Sequence, residues 1–161
     1  MRIYLDGCDG TGKSTLADQL SRRFRLDKFC LTKDSEKFVR RYLEIRQTDN
    51  VVYDRTFLSE IVYPKVFGRK EWMTEYDKQI LLYHYLKLES DDIFIILTAR
   101  NEDIKKRILS RGEEYSEILD NIESINKKYV ELGVEYNLQI VDTSLMTTEN
   151  IVKLIERREL W

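Results

Sequence analysis

The chain has one proline, two cysteines and one histidine among its 161 residues, and each scarcity closes off a class of protein. Two cysteines cannot build the disulfide framework of a small secreted scaffold. Cys8 also falls inside a glycine-rich loop where a disulfide would obstruct function, and Cys30 is expected in a buried strand, so reducing, cytoplasmic conditions are expected. The lone histidine, His84, stands in a tyrosine-rich stretch without a Ser, Cys or metal-ligand partner at readable spacing, which argues against a structural metal site. Pro64 is the only proline, and no linker, low-complexity tract or internal repeat divides the chain. No apolar run approaches the roughly 20 residues that a bilayer-spanning helix needs. The first strand begins at once and leaves no room for a signal peptide. Lys plus Arg (27) nearly balance Asp plus Glu (29) for a net charge of −2, so neither nucleic acid nor a membrane surface is an expected partner.

With 42% hydrophobic residues, the chain can bury a core as one domain, 1–161. Short apolar runs at 2–6, 28–32, 50–53, 93–97 and 138–141 predict five strands. Helical patterns separate them at 34–46, 56–67, 71–88, 102–110, 117–132 and 147–159. Strands alternating with helices predict an α/β three-layer sandwich, a five-stranded parallel sheet with helices on both faces. Ligands in such folds gather at the carboxyl ends of the strands. Trp72 and Tyr76 recur at helical spacing, which fits core packing better than a base-stacking surface.

The strongest single signal is Gly7-Cys8-Asp9-Gly10-Thr11-Gly12-Lys13-Ser14-Thr15. It fits G-x-x-x-x-G-K-[ST], with a strand before it and an amphipathic helix (Leu16, Leu20, Phe24) after it, the context a P-loop requires. Gly7, Gly10 and Gly12 permit a backbone whose N–H groups converge on phosphate oxygens, with Thr11 inside the same cradle. Lys13 would set an ammonium against the β- and γ-phosphates, and Ser14 a hydroxyl on Mg²⁺. Thr15, at the same helix start, suits the α-phosphate.

Three further groups are candidates for the same site. Asp54-Arg55 closes the third strand: Asp54 suits Mg²⁺ held through water, or alternatively a helix cap near Thr56, while Arg55 suits bidentate contact with a second phosphate. Arg107 and Arg111, four apart ahead of Gly112, suit an arginine-bearing lid near 107–117; the plainer reading is a solvated helix face. Lys105 and Lys106 fit that plainer reading. Asp9 is an unusual carboxylate inside a phosphate loop. It suits contact with an acceptor hydroxyl or base, or alternatively serves the geometry of a tight turn.

These motifs resemble the thymidylate kinase and deoxynucleoside kinase superfamily, thymidylate kinase more closely. The loop with its acid at Asp9, Asp54-Arg55 followed by Ser59 and Tyr63, the strand and helix around 91–100, Tyr129 to Leu132, and Asp142-Thr143-Ser144 carry the resemblance in order along the chain. It implies an ATP- and Mg²⁺-dependent phosphotransferase acting on a deoxynucleoside monophosphate, thymidylate or a related pyrimidine nucleotide. Asp9 would meet the acceptor's sugar, Arg55 the acceptor phosphate or the group in transfer, Arg107 and Arg111 would supply lid charge, and 142–144 would lie near adenine. A homodimer is implied by resemblance alone, and the compact size resembles kinases of viral genomes. Two departures stand out. Thr56 replaces the usual aromatic or His, and the segment between the second and third strands is short, leaving Phe38, Arg40 and Arg41 as acceptor candidates on composition only. The lid also resembles that of deoxynucleoside kinases, so phosphorylation of a deoxynucleoside's 5′-hydroxyl is the alternative. A nucleotide-dependent switch fits less well, because the chain has no space for an effector domain, and acceptor motifs of shikimate-type kinases are not apparent.

Overall fold

The computed structural model describes residues 1–31, 39–88, 91–112 and 116–159. Five strands form one parallel sheet: β1 (Arg2–Gly7), β2 (Asp27–Cys30), β3 (Val51–Asp54), β4 (Ile93–Thr98) and β5 (Gln139–Asp142), in the spatial order β2-β3-β1-β4-β5. Among the described residues seven helices connect or follow them: α1 (Lys13–Phe24), α2 (Val39–Arg46), α3 (Ser59–Val66), α4 (Glu75–Leu86), α5 (Asn101–Ser110), α6 (Ser116–Glu135) and α7 (Thr148–Glu156). This is the expected three-layer α/β sandwich. β1 and β4 are covered on both faces, which is why they read as nearly continuous apolar runs (Ile3-Tyr4-Leu5, Ile93 to Leu97) and not as alternating ones.

The two faces bury different things. Ile3, Leu5, Val52 and Ile95 pack with Leu16 and Leu20 of α1 and Ile151 and Ile155 of α7 in an aliphatic layer. On the other face Tyr4, Tyr53, Phe57 and Tyr85 pack near Ile104, Ile125 and Tyr129 from α5 and α6, an aromatic layer. Tyr4 stacks on Tyr53 at 5.0 Å and meets Tyr85 edge-on at 5.3 Å, geometries that the ring quadrupole favours.

Helix ends follow local chemistry that periodicity does not carry. The apolar pattern of 71–88 predicts a helix throughout, yet α4 starts only at Glu75. Thr74 and Asp77 form a reciprocal capping box there, Asp77 N–H donating to the Thr74 hydroxyl while Thr74 N–H donates to Asp77. The predicted helix at 34–46 is α2 from Val39; residues 32–38, with Phe38 among them, lie outside the described residues. Cys30 corrects an expectation. β2 is an edge strand and Cys30 is exposed on it, because nothing pairs beyond β2 in the described sheet. No helix among the described residues is long and apolar enough to cross a membrane.

Candidate phosphate and acceptor site

β1 and β3 are neighbours, so the loops leaving their carboxyl ends, Gly7–Gly12 and Arg55–Leu58, lie side by side. The first wraps tightly. A Cβ on Gly7, whose φ is +141°, would stand 2.2 Å from the Leu97 carbonyl oxygen, so β4 admits only glycine there. A Cβ on Gly10 would press on the Ile104 carbonyl at 3.0 Å, which lets the loop lie against α5. Both the N–H and the hydroxyl of Thr11 donate to the Cys8 carbonyl, at 3.2 and 2.7 Å, closing the turn. Gly12 caps α1, whose first turn holds no acidic residue, so the positive end of the helix dipole faces the loop uncompensated.

Lys13 is buried, and its ammonium donates to the carbonyls of Gly7 at 2.8 Å and Cys8 at 2.7 Å, spanning the loop from within. Burial lowers its pKa, and nearby Asp9 works in the opposite direction. Ser14 and Thr15 follow on the exposed first turn of α1. The buried Cys8 thiol is pushed up to about 12 by burial, so it stays protonated and unreactive.

Alternation along β3 then separates two roles. Successive strand residues point to opposite faces. Val52 lies in the aliphatic layer with α1, and Asp54, two residues on, shares that face. Its Oδ2 lies 3.9 Å from Lys28 Nζ, which is itself bonded to Asp18 of α1. Arg55 turns the other way. Its backbone is left-handed (φ +80°), its N–H donates to the Leu5 carbonyl at 2.9 Å, and its guanidinium forms an ion pair with Asp9. Tyr63 of α3 donates its hydroxyl to the other Asp9 oxygen at 2.8 Å, and the Arg55 guanidinium lies 5.6 Å from the centre of the Tyr63 ring. Asp9 therefore accepts from two elements at once. Burial works to raise its pKa, but Lys13, Arg55 and the Tyr63 hydrogen bond outweigh burial and hold the carboxyl below its usual range.

A divalent ion is tested by Asp54. This carboxylate is buried, with 2% of its side chain exposed, and Oδ2 has no hydrogen-bond partner. A buried carboxylate oxygen without a donor, on the same face as the Ser14 end of α1, fits a cation that keeps most of its water. Among the described residues no group of three His, Cys, Asp or Glu could hold a metal. The helix-cap alternative for Asp54 has no support. The N–H and hydroxyl of Thr56 donate instead to Asp6 Oδ2, at 2.9 and 2.6 Å.

Arg107 and Arg111 part company. From α5, Arg107 donates to the Gly10 carbonyl at 3.2 Å, the Thr143 hydroxyl at 2.8 Å and the Thr143 carbonyl at 3.0 Å. The Thr143 hydroxyl in turn donates to the Thr11 carbonyl at 2.9 Å. Arg107 is thus built into the wall of the phosphate loop, whereas Arg111 caps the end of α5 and is exposed. Residues 113–115, the centre of the expected lid, lie outside the described residues. Of the acceptor candidates, Arg40 is an exposed partner of Glu44 and Arg41 lies over Phe29. Trp72 stacks on Tyr42 and donates to Glu60, so it is a packing residue, but Tyr76, expected in the core, is instead 71% exposed on α4, and His84 is exposed. Sequence reasoning missed Asp6, and it missed Thr56 as that residue's partner. An acidic residue immediately ahead of Gly7 was the available signal.

A strand ending in a lysine-bearing glycine loop, beside an arginine–aspartate pair on the next strand, defines a P-loop phosphotransferase of the nucleotide-kinase type. Residues 3–128 match a family described as AAA domain, and the chain belongs to that family. It is 32% identical over 159 residues to the SPbeta prophage-derived uncharacterized protein YorR of Bacillus subtilis, covering 94% of each chain. The crystal structure of YorR in complex with phosphorylated GDP superposes with a TM-score of 0.79 at 28% identity, covering 99% of this chain and 96% of that one. A probable thymidylate kinase of Sulfurisphaera tokodaii is 24% identical, with 96% and 93% covered. Deoxyadenosine kinase from M. mycoides with products dCMP and dCDP shares the fold, with a TM-score of 0.65 at 20% identity over 99% and 98% of the two chains.

Proposed function

We propose that the protein transfers the γ-phosphoryl group of ATP to a deoxynucleoside monophosphate, thymidylate or a related pyrimidine nucleotide, forming the diphosphate. The observation that carries this reading is the convergence of Arg55 and Tyr63 on Asp9, a residue of the phosphate loop itself. A generic NTPase has no use for a carboxylate there, whereas a two-substrate enzyme needs its loop to touch the acceptor. Lys13, the loop N–H groups and Ser14 hold the donor phosphates, with Thr15 at the α-phosphate. Arg55 aligns the acceptor phosphate, and Asp9 meets the acceptor's sugar. Arg107 fixes the loop, and Arg111 adds charge at the edge. Mg²⁺ at Ser14 and Asp54 would neutralise charge on the phosphates. An acceptor oxygen bonds to the γ-phosphorus as the bond to ADP breaks, so holding both partners in line accounts for most of the rate.

One observation favours the alternative, a deoxynucleoside kinase. Arg55 is already paired with Asp9, which leaves less positive charge for an acceptor phosphate. A coupled assay with ATP or GTP and MgCl₂ across dTMP, dUMP, dCMP, dGMP, thymidine and deoxyadenosine separates the two. Highest turnover with dTMP supports the leading reading, and turnover with nucleosides alone replaces it. The phosphorylated GDP in the YorR structure is the reason to include guanine nucleotides. We further propose a reducing cytoplasm, consistent with the free thiols of Cys8 and Cys30, and a homodimer. Tyr76 and Tyr83, 71% and 64% exposed on α4, are the surface a second copy would cover.

A further inference from the structure

Asp6 is fully buried at the end of β1 and is used by none of the roles above. Its Oδ1 accepts from the N–H of Gly7 at 3.1 Å, the first residue of the phosphate loop. Its Oδ2 accepts from the N–H of Thr56 at 2.9 Å and the Thr56 hydroxyl at 2.6 Å, immediately after Arg55. One carboxylate therefore ties the root of the donor loop to the residue that follows the acceptor arginine. The tie is reinforced by Thr56 itself, whose hydroxyl accepts from Leu58 N–H at 3.2 Å and whose carbonyl accepts from the Ser59 hydroxyl at 2.7 Å, fixing the turn into α3. Arg55 needs such support. Its left-handed backbone at φ +80° is strained for a residue with a side chain, and that conformation aims the guanidinium at Asp9.

We infer that Asp6 is a positioning residue which, through Thr56, sets the spacing and aim of Arg55 relative to the phosphate loop. Its carboxylate is a better link than a neutral side chain, because a charged acceptor makes stronger hydrogen bonds and can receive three donors on two oxygens. Burial raises its pKa, and the Thr56 bonds and Lys13 oppose that shift without outweighing it. The link also accounts for Thr56 as such. A larger residue would displace the turn, and one without a hydroxyl would leave Oδ2 one donor short.

The kinetic part of this inference rests on the reading that Arg55 serves an acceptor. The test compares Thr56→Val, Thr56→Ser and Asp6→Asn in the full chain. It measures kcat and KM for dTMP, the Kd of a fluorescent ATP analogue, and the side-chain Nε–H resonance of Arg55 by NMR. Misplacing a reacting group by about 1 Å costs on the order of 10²-fold in rate. Thr56→Val and Asp6→Asn should therefore lose roughly 10–100-fold in kcat with donor Kd within about 3-fold of wild type, while Thr56→Ser keeps most of the rate. The Arg55 Nε–H signal, distinct in the wild type, should move toward free-arginine values in Thr56→Val. Unchanged turnover and an unchanged Arg55 signal in folded Thr56→Val would overturn the inference, as would donor binding lost in proportion to rate. If Asp6→Asn does not fold, Thr56→Val carries the test alone. Should the wild type phosphorylate no acceptor, the functional reading fails, yet the Arg55 resonance still decides the positioning role.

Discussion

Two arginine–carboxylate pairs sit at opposite ends of one sheet, and they differ in almost every respect. At the amino ends of β1 and β4, Arg2 and Asp92 are 5% and 2% exposed, joined at 2.7 Å with further bonds from Nε, and the Arg2 N–H donates to the same carboxylate. At the carboxyl ends, Arg55 and Asp9 are 29% and 21% exposed and joined mainly through side chains on two loops. The first pair is sealed between strands on the side away from the phosphate loop. The second lies open beside that loop, where a substrate can compete for each partner. A sealed pair serves folding, because removing one partner strands a buried charge. A partly exposed pair is screened in part by water and contributes less to stability than a sealed one.

The sharpest way to break this contrast is Arg55→Ala. Turnover should fall by about 10³–10⁵ while the urea midpoint stays close to wild type, since a half-open pair is worth about 1 kcal/mol or less. A variant that unfolds but keeps its specific activity would reverse the assignment. Asp92→Ala is the complementary case. It should cost about 3–5 kcal/mol in urea denaturation and leave turnover per folded molecule unchanged. Gly7→Ala tests whether the open end tolerates strain. With a Cβ 2.2 Å from the Leu97 carbonyl, β4 or the loop must shift, and nucleotide affinity in an equilibrium titration should drop at least tenfold, about 1.4 kcal/mol.

The smallest expected effect concerns pH. Asp9 has its folded pKa held below the ordinary value near 3.9, so its pairing stabilises the fold fully above that value. The contribution is lost as pH falls through the depressed folded value. The stability gap between wild type and Asp9→Asn should therefore be constant from about pH 7 to 5 and close on acidification below roughly pH 4. Asp6 runs with the opposite sign, since burial raises its folded pKa and its contribution to stability is lost as pH rises through that raised value. A gap that widens in acid would show that burial, not Arg55 and Lys13, controls Asp9.

How far the sequence reached can be judged at particular residues. The five strands lie within a residue or two of where apolar runs placed them; for β1, β3 and β4 this is because buried parallel strands have little choice but to be apolar. The loop from Gly7 to Thr15 was legible because its chemistry is local. Arg55 was legible from its place at a strand end. The direction of its side chain, and the opposite direction of Asp54, needed the register of β3 on β1. Asp6 showed in the sequence only as an acid ahead of Gly7; its meaning depends on Thr56, fifty positions away, and the two meet only after β1 and β3 pair. Arg107 was recognised as a charge of interest, but charge alone could not tell a mobile lid from a strut bonded to Gly10 and Thr143. Cys30 was misplaced because an apolar-looking strand can lie in the middle of a sheet or at its edge, and only topology distinguishes the two.

The period-two alternation of β3, which sends Asp54 toward α1 just before the left-handed backbone of Arg55 turns the chain, has a bearing on how such a chain can drift. A single residue inserted between Val51 and Asp54 would carry Asp54 to the opposite face of the sheet, away from α1. An insertion before Val51, in the turn at 47–50, would not. Length variation among descendants should therefore collect ahead of β3 and stop short at its first residue, a boundary drawn by the pleat and not by distance from the reacting phosphate.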